Sequence, residues 1–165
     1  MKPTDTLTTI FRHNLWANLR LLERCTELNN EQLDTFVSGT FGSIRDTFQH
    51  ITLAEKGYFS RISTGQRYHH PKDAEPMTIA EMMASVQETG KGLIEWTQKA
   101  QMEDKVLIDW DGTLREVPKT IILTQVINHA TEHRAQIMVT MTQLGIEPPE
   151  LDSWSYFDEL EKKSG

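Results

Sequence analysis

Residues 123–145 read LTQVINHATEHRAQIMVTMTQLG, and their apolar side chains recur at steps of three and four. This spacing is the period of an α-helix with one buried face. The buried face is predicted to run through Ile122, Val126, His129, His133, Ile137, Thr140 and Leu144. The helix is expected to follow Pro118 and to end at Gly145, because Pro148 and Pro149 prevent the helix from continuing. Two histidines four residues apart therefore lie on the inward face of a long helix.

Three further segments show the same helical period, at residues 6–28, 43–62 and 78–100. The second segment begins at Ser43, where a serine can cap the first amides, and it ends before Gly65. The third begins with TIAE at residues 78–81, which is a capping-box pattern. Four amphipathic helices are buried most economically against one another. The sequence therefore predicts an all-α fold, a four-helix bundle.

A short β-hairpin is predicted between the third and fourth helices. Residues 106–118 read VLIDWDGTLREVP, in which Val106, Ile108 and Trp110 alternate with other residues as far as Asp111-Gly112. Asp-Gly favours a two-residue hairpin turn, since both central positions need a positive φ. The connections at residues 65–77 and 101–119 are longer than a tight turn requires, so some helices can run parallel to their sequence neighbours.

Length and charge limit the classes of function. The 165 residues are enough for one core, so residues 1–165 are predicted to form a single domain. A net charge of -7 argues against nucleic acid or an anionic membrane as a partner, since both attract basic surfaces. The start lacks a signal-peptide pattern and no stretch is apolar enough for a membrane span, which predicts a cytoplasmic protein. Cys25 is the only cysteine, and its spacing favours a buried core residue.

The inward histidines are candidate metal ligands. Imidazoles at positions i and i+4 of a helix can converge on one ion at about 2.0–2.1 Å, although such a pair alone fits a core or surface role equally well. His50 on the second predicted helix is a third candidate, because its neighbours Thr47, Ala54 and Gly57 leave space for a ring and an ion. Three inward histidines without a metal would each need a buried partner. The combination therefore favours a metal site, with histidines that only fill the core as the alternative.

Other polar residues are weaker candidates. His69 and His70 lie in the polar connection RYHHPKDAEP, where a solvated loop is the simpler interpretation. His13 is off the main stripe of the first helix, where it could line a cleft. The letters HATEH also match H-x-x-E-H, the inverted zinc-peptidase pattern in which the glutamate activates water. Only a short tail follows His133, however, and Glu132 projects toward the helix flank, so a surface role is favoured for it.

Three stretches together resemble the DinB/YfiT-like family of metal-binding four-helix bundles. They are FRHNLWANLRLLERC at residues 11–25, FGSIRDTFQHITLAEKGYFSRISTG at 41–65, and the segment 123–145 followed by PPELDSWSYF. The resemblance covers nearly the whole chain. It implies that His50, His129 and His133 are the ligands of a divalent transition metal, commonly nickel or zinc, and that the protein forms a homodimer. Some relatives transfer or isomerise substrates with a low-molecular-weight thiol such as bacillithiol or mycothiol, and many have no assigned reaction.

Two classes of function follow from a three-histidine site. Three imidazoles leave a coordination position open, which is typical of a catalytic site. The first hypothesis is therefore a metal-dependent transferase or hydrolase acting on a small molecule, with Asn128, Gln49 and Glu132 as candidates to orient the histidines. The alternative is a non-catalytic metal-binding or stress-associated scaffold, in which the ion stabilises the bundle. An open site beside a cleft would favour the enzyme, and a fully buried ion would favour the scaffold.

Overall fold

A computed structural model describes residues 5–71, 73–101 and 103–163 of the chain. Within these residues there are six helices and one β-hairpin. They are α1 (Thr6–Cys25), α2 (Asn30–Leu33), α3 (Ile44–Thr64), α4 (Ile79–Lys99), β1 (Lys105–Trp110), β2 (Thr113–Pro118), α5 (Lys119–Gln143) and α6 (Ser153–Lys162). The four long helices and the hairpin confirm the predicted fold. Helices α2 and α6 were not predicted.

The predicted caps set the helix boundaries. The Ser43 side chain accepts a hydrogen bond from the Asp46 amide at 3.1 Å, and Thr78 and Glu81 form the same reciprocal box at the start of α4. Helix α3 ends at Gly65 with a φ of 73°, a left-handed conformation that glycine adopts without steric cost. The first helix ends at Cys25 instead of residue 28, because the chain turns there and a new capping box at Asn29 begins α2.

The hairpin forms at the predicted turn. Strands β1 and β2 are antiparallel, with Trp110 opposite Thr113. Asp111 and Gly112 have φ values of 51° and 83°, so both central residues have the positive φ expected for Asp-Gly. The Asp109 carboxylate accepts a hydrogen bond from the Gly112 amide at 2.8 Å and stabilises the turn.

The long helices form a bundle in which α1 and α3 each contact both α4 and α5. Two apolar clusters fill its interior. One includes Leu21, Phe48 and Met141, and the other, near the hairpin, includes Phe11, Ile62, Leu93, Ile122 and Val126. Cys25 is fully buried in the first cluster, as predicted, and burial raises the pKa of its thiol to about 12. No helix in the described ranges has the length and apolar composition needed to cross a membrane.

Glycine positions give a stability test of the helix packing. A methyl group added at Gly92 of α4 would overlap ring carbons of Phe59, whereas one added at Gly57 of α3 would meet nothing within 4 Å. We therefore expect Gly92→Ala to lower the free energy of unfolding by about 1–3 kcal/mol. Gly57→Ala is expected to raise it by about 0.5–1 kcal/mol, because alanine loses less backbone entropy in a helix. Urea unfolding measures both, and a destabilised Gly57→Ala would contradict the open space at that position.

Candidate metal centre

The structure brings together the three histidines that the sequence singled out. His50 lies on α3, and His129 and His133 lie one turn apart on α5, which contacts α3. One ring nitrogen from each histidine lies within 4.8 Å of the other two. The Nε2 atoms of His50 and His129 are 2.9 Å apart. The i, i+4 pair of one helix thus meets a single histidine of its neighbour at one point.

This geometry fits a small divalent ion. Metal–nitrogen bonds of 2.0–2.1 Å at a tetrahedral angle place two nitrogens about 3.3 Å apart, which lies between the observed 2.9 Å and the 4.8 Å limit. Small side-chain rotations would equalise the three separations. Neutral imidazoles suit zinc, nickel and related transition metals, whereas magnesium and calcium prefer oxygen ligands. The donor set therefore fits a divalent transition metal.

The local electrostatics keep these rings in the form that binds a metal. Burial is the largest cause of a lowered pKa at His129, and together with the nearby His133 and His50 it brings that pKa to about 4. Burial also lowers the pKa of His50, with His133 as the second cause. A neutral imidazole has a free nitrogen lone pair, whereas a protonated ring has none. His50 and His129 are therefore neutral at physiological pH.

Gln136 fixes the orientation of His133. Its Oε1 atom lies 2.9 Å from Nδ1 of His133 and also accepts a hydrogen bond from the Phe41 amide at 3.3 Å. Because an amide oxygen can only accept, the proton of the His133 ring is assigned to Nδ1. Nε2 then keeps its lone pair for an ion, which is the usual arrangement of an orienting partner behind a metal-binding histidine.

Phe41 covers the outer side of the histidine cluster. Its ring stacks on His50 with centroids 4.1 Å apart and meets His133 edge-on at 5.2 Å. Phe41 is nevertheless 51% exposed, because it lies in the loop before α3 and faces solvent with its other side. Phe41 could not be predicted from the sequence, since a lone aromatic in a loop belongs to no periodic pattern.

Known proteins resemble this chain in sequence and in fold. Residues 1–163 match the sequence profile of the DinB family. The chain belongs to the DinB family. It is 23% identical over 151 residues to Protein DinB of Bacillus subtilis strain 168, covering 86% of this chain and 88% of that relative. A crystal structure of a DinB-like protein from Bacillus cereus ATCC 10987 shares the fold with a TM-score of 0.62 at 20% identity, covering 84% of this chain and 91% of that one.

The residues predicted to orient the histidines do not do so in this DinB-family protein. The Gln49 side chain accepts a hydrogen bond from the Met77 amide at 2.6 Å and joins α3 to the start of α4. Asn128 and Glu132 are exposed on the outer side of α5, as expected for a helix flank. Gln136 has the orienting role instead. The sequence places Gln136 three residues after His133, and i and i+3 residues are neighbours on a helix, so this contact could have been predicted from the spacing.

The remaining histidines lie away from the centre. Nε2 of His13 is 2.7 Å from the Leu151 carbonyl oxygen, and its ring contacts Trp16 and Tyr156 at 5.6 Å, so it anchors the tail that contains α6. His69 is exposed and His70 is half-buried beside Tyr68, both in the connection before α4. This placement agrees with the loop interpretation.

A cavity of about 710 Å³ lies between α3, the hairpin and α5, and its lining residues do not include the three histidines. We call it the hairpin cavity. Its walls include Tyr58, Arg61, Arg67, Trp110, Ile122 and Gln125. Tyr58 also meets His129 edge-on, with ring centroids 5.9 Å apart, and Gln125 is one turn before His129 on α5. Tyr58 therefore lies between the cavity and His129, and it connects the cavity wall to the histidine cluster.

A buried polar layer supports the helices that carry the histidines. Arg134, next to His133, donates hydrogen bonds to the side-chain oxygens of Asn14 at 2.6 Å and Asn18 at 2.7 Å. Both asparagines in turn donate to the Glu55 carboxylate, at 3.5 Å and 3.3 Å, and Thr89 donates to its other oxygen. Burial raises the pKa of Glu55 to about 7, although these hydrogen bonds and the charge of Arg134 oppose the shift. The layer joins all four long helices.

We expect Gln136→Leu to weaken metal affinity by about 10–100-fold, because the substitution removes the acceptor that orients His133. The fold should persist, since Gln136 is only half-buried. Competition with a coloured chelator measures the affinity. Gln143→Leu on the exposed surface of the same helix is the matched control and should bind metal as the wild type does. Equal affinity in all three proteins would show that Gln136 does not position the ligand.

Proposed function

We propose that this protein is a metal-dependent enzyme, a transferase or hydrolase, that acts on a small molecule. His50, His129 and His133 would hold its divalent ion, nickel or zinc. The observation that carries the proposal is the convergence of three ring nitrogens within 4.8 Å of one another, one helical turn from a cavity whose wall residue Tyr58 contacts His129. His50 and His129 are half-buried, and only His133 is buried, so the cluster is accessible from one side.

The residues around the cluster support catalysis in distinct ways. A divalent ion with three imidazole ligands keeps a position open and, when bound, lowers the pKa of a water or thiol placed there. The depressed pKa values of His50 and His129 keep protons from competing for the ligand nitrogens. Gln136 orients His133, and Phe41 excludes water from the outer side of the cluster. Tyr58 forms the wall shared with the hairpin cavity.

The proposal includes a low-molecular-weight thiol as a co-substrate, which rests on the resemblance to thiol-dependent relatives. A thiol is a suitable occupant of an open position on a zinc-type ion, since such ions bind sulfur well. The homodimer and the cytoplasmic location stay predictions from the resemblance and the composition. The alternative, a scaffold with a structural ion, requires a closed site, and the half-buried His50 and His129 argue against one.

Cobalt substitution tests the proposal, because Co²⁺ replaces zinc and reports its coordination through visible absorption. We expect cobalt-loaded protein to develop a sulfur-to-cobalt charge-transfer band when 2-mercaptoethanol is added, which requires an open position. The loaded protein should also catalyse thiol transfer or hydrolysis within a panel of small electrophiles and esters. His129→Ala should lose both properties. If the visible absorption of the cobalt-loaded protein does not change when thiol is added, and the ion exchanges no water, the ion is coordinatively saturated and structural. This result would overturn the enzyme proposal.

A further inference from the structure

We infer that the hairpin cavity binds the substrate of the metal centre, and that this substrate carries an anionic group, a carboxylate or a phosphate, beside an apolar body. The inference rests on the proposed function and names the substrate class of that same site. It follows from the position of the cavity, from the two arginines in its wall and from its apolar lining.

The cavity lies one helical turn from the histidines on α5. Gln125 precedes His129 by four residues and Ile122 precedes it by seven, which places them about 6 and 10 Å from it along the helix axis. Tyr58 reaches both the cavity and His129. A molecule that fills the cavity therefore lies one helical turn from His129 and contacts Tyr58, whose ring meets that histidine. The volume of about 710 Å³ lies within the range of small-molecule sites.

Two arginines give one wall of the cavity positive charge. Arg61 follows Tyr58 by one turn of α3, and Arg67 lies just after the helix ends. Neither guanidinium has a hydrogen-bond or ion-pair partner in the part of the chain that the structure describes. Two unpaired guanidinium groups in one wall favour a carboxylate or phosphate, which they can bind through paired N–H donors.

The wall that the hairpin forms is largely apolar. Side chains alternate along a strand, so Ile108 and Trp110 of β1 share one side of the hairpin, together with Val117 of β2. All three line the cavity. Arg115 lies over the Trp110 ring at 5.5 Å and holds the indole in place. This wall offers an apolar surface for the body of the ligand.

Acidic residues at the turn limit the charge of the ligand. Asp109 and Asp111 also line the cavity, and Asp109 is engaged by the Gly112 amide. Their charges balance those of the two arginines, so the cavity has no excess positive charge that would attract a polyanion. A ligand with one anionic group can place that group beside the arginines of the α3 wall and keep it away from the acidic residues of the turn.

Binding of simple probes tests the inference. The titrations use 3-phenylpropionate and phenyl phosphate as anions and 3-phenylpropan-1-ol as the neutral analogue, followed by protein NMR with the Trp110 indole as reporter. We expect both anions to bind at the hairpin cavity at least about tenfold more tightly than the alcohol. Arg61→Gln and Arg67→Gln should each weaken anion binding about tenfold, whereas Arg12→Gln, an exposed arginine outside the cavity, should not. The tighter of the two anions identifies the group.

A second measurement links the cavity to the metal. In cobalt-loaded protein the paramagnetic ion should accelerate relaxation of the protons of bound 3-phenylpropionate, and His50→Ala should abolish this effect. Elemental analysis of the same sample separates the two proposals. A sample that takes up no cobalt contradicts the proposed function, and the anion titration still decides the charge of the ligand. Equal binding of alcohol and anions, no effect of the arginine variants, or no relaxation effect in a loaded sample would each overturn the inference.

Discussion

His129→Ala and His133→Ala are each expected to abolish stoichiometric metal binding. Each substitution removes one of three ring nitrogens that lie within 4.8 Å of one another, and the remaining two cannot hold a divalent ion alone. The affinity should fall by more than about 100-fold, since even an orienting partner behind a ligand contributes 10–100-fold. Elemental analysis of tag-free protein should find about one ion per wild-type chain and almost none in either variant.

His69→Ala is the control for this experiment, because His69 is exposed in the loop before α4 and lies outside the cluster. It should retain the wild-type metal content. Circular dichroism of all the proteins should show that the loss of metal is not a loss of the fold. Equal metal content in His129→Ala, His133→Ala and His69→Ala would show that the histidine cluster does not bind the metal. A wild-type protein that takes up no metal even after reconstitution would return the histidines to a role in the bundle core.

The fold could be predicted because its determinants are local. The period of the apolar residues and the caps at Ser43 and Thr78 lie within single helices, and the Asp111-Gly112 turn needs only two residues. Helix α2 was missed because four residues are too few to show a period. Helix α6 was missed because none of its residues is buried, and a hydrogen bond from Trp16 to Glu159 helps to attach it to α1.

The candidate site was predictable in part. The pair on α5 is visible as an i, i+4 pattern, whereas the meeting of His50 with that pair depends on how α3 packs against α5. The buried polar layer is visible in the sequence as polar residues at buried helical positions. The apolar spacing in the sequence of α3 is interrupted between Ile51 and Tyr58, and the buried Glu55 lies in this gap. On α1, likewise, the buried face includes the polar Asn14 and Asn18, whereas the apolar Leu15 is only half-buried.

This polar layer should make Arg134 one of the most sensitive positions for stability. Arg134→Met removes the cation and its three side-chain hydrogen bonds, to Asn14, Asn18 and Thr131, beside a buried carboxylate. We expect the free energy of unfolding to fall by up to about 3–5 kcal/mol at a pH well above 7, where the buried Glu55 must either ionise without its partner or keep its proton. Arg45→Met is the control, because Arg45 pairs at 2.6 Å with Asp34, which is exposed at the surface, and should cost no more than about 1 kcal/mol.

The pH dependence identifies Glu55 as the cause. Its pKa is about 7 in the folded protein, compared with an ordinary value of 4.5, so the folded state binds more protons than the unfolded state between these values. The contribution of Glu55 to stability is therefore complete below about pH 4.5 and is lost as the pH rises through about 7. Glu55→Gln removes this dependence, so urea unfolding should show the variant gaining stability relative to wild type as the pH rises over that range. Arg134→Met should show the opposite trend, with a smaller loss at acidic pH, where Glu55 is protonated. A loss in Arg134→Met that is independent of pH would mean that Arg134 stabilises the bundle through packing and hydrogen bonds to Asn14 and Asn18, without the charge of Glu55.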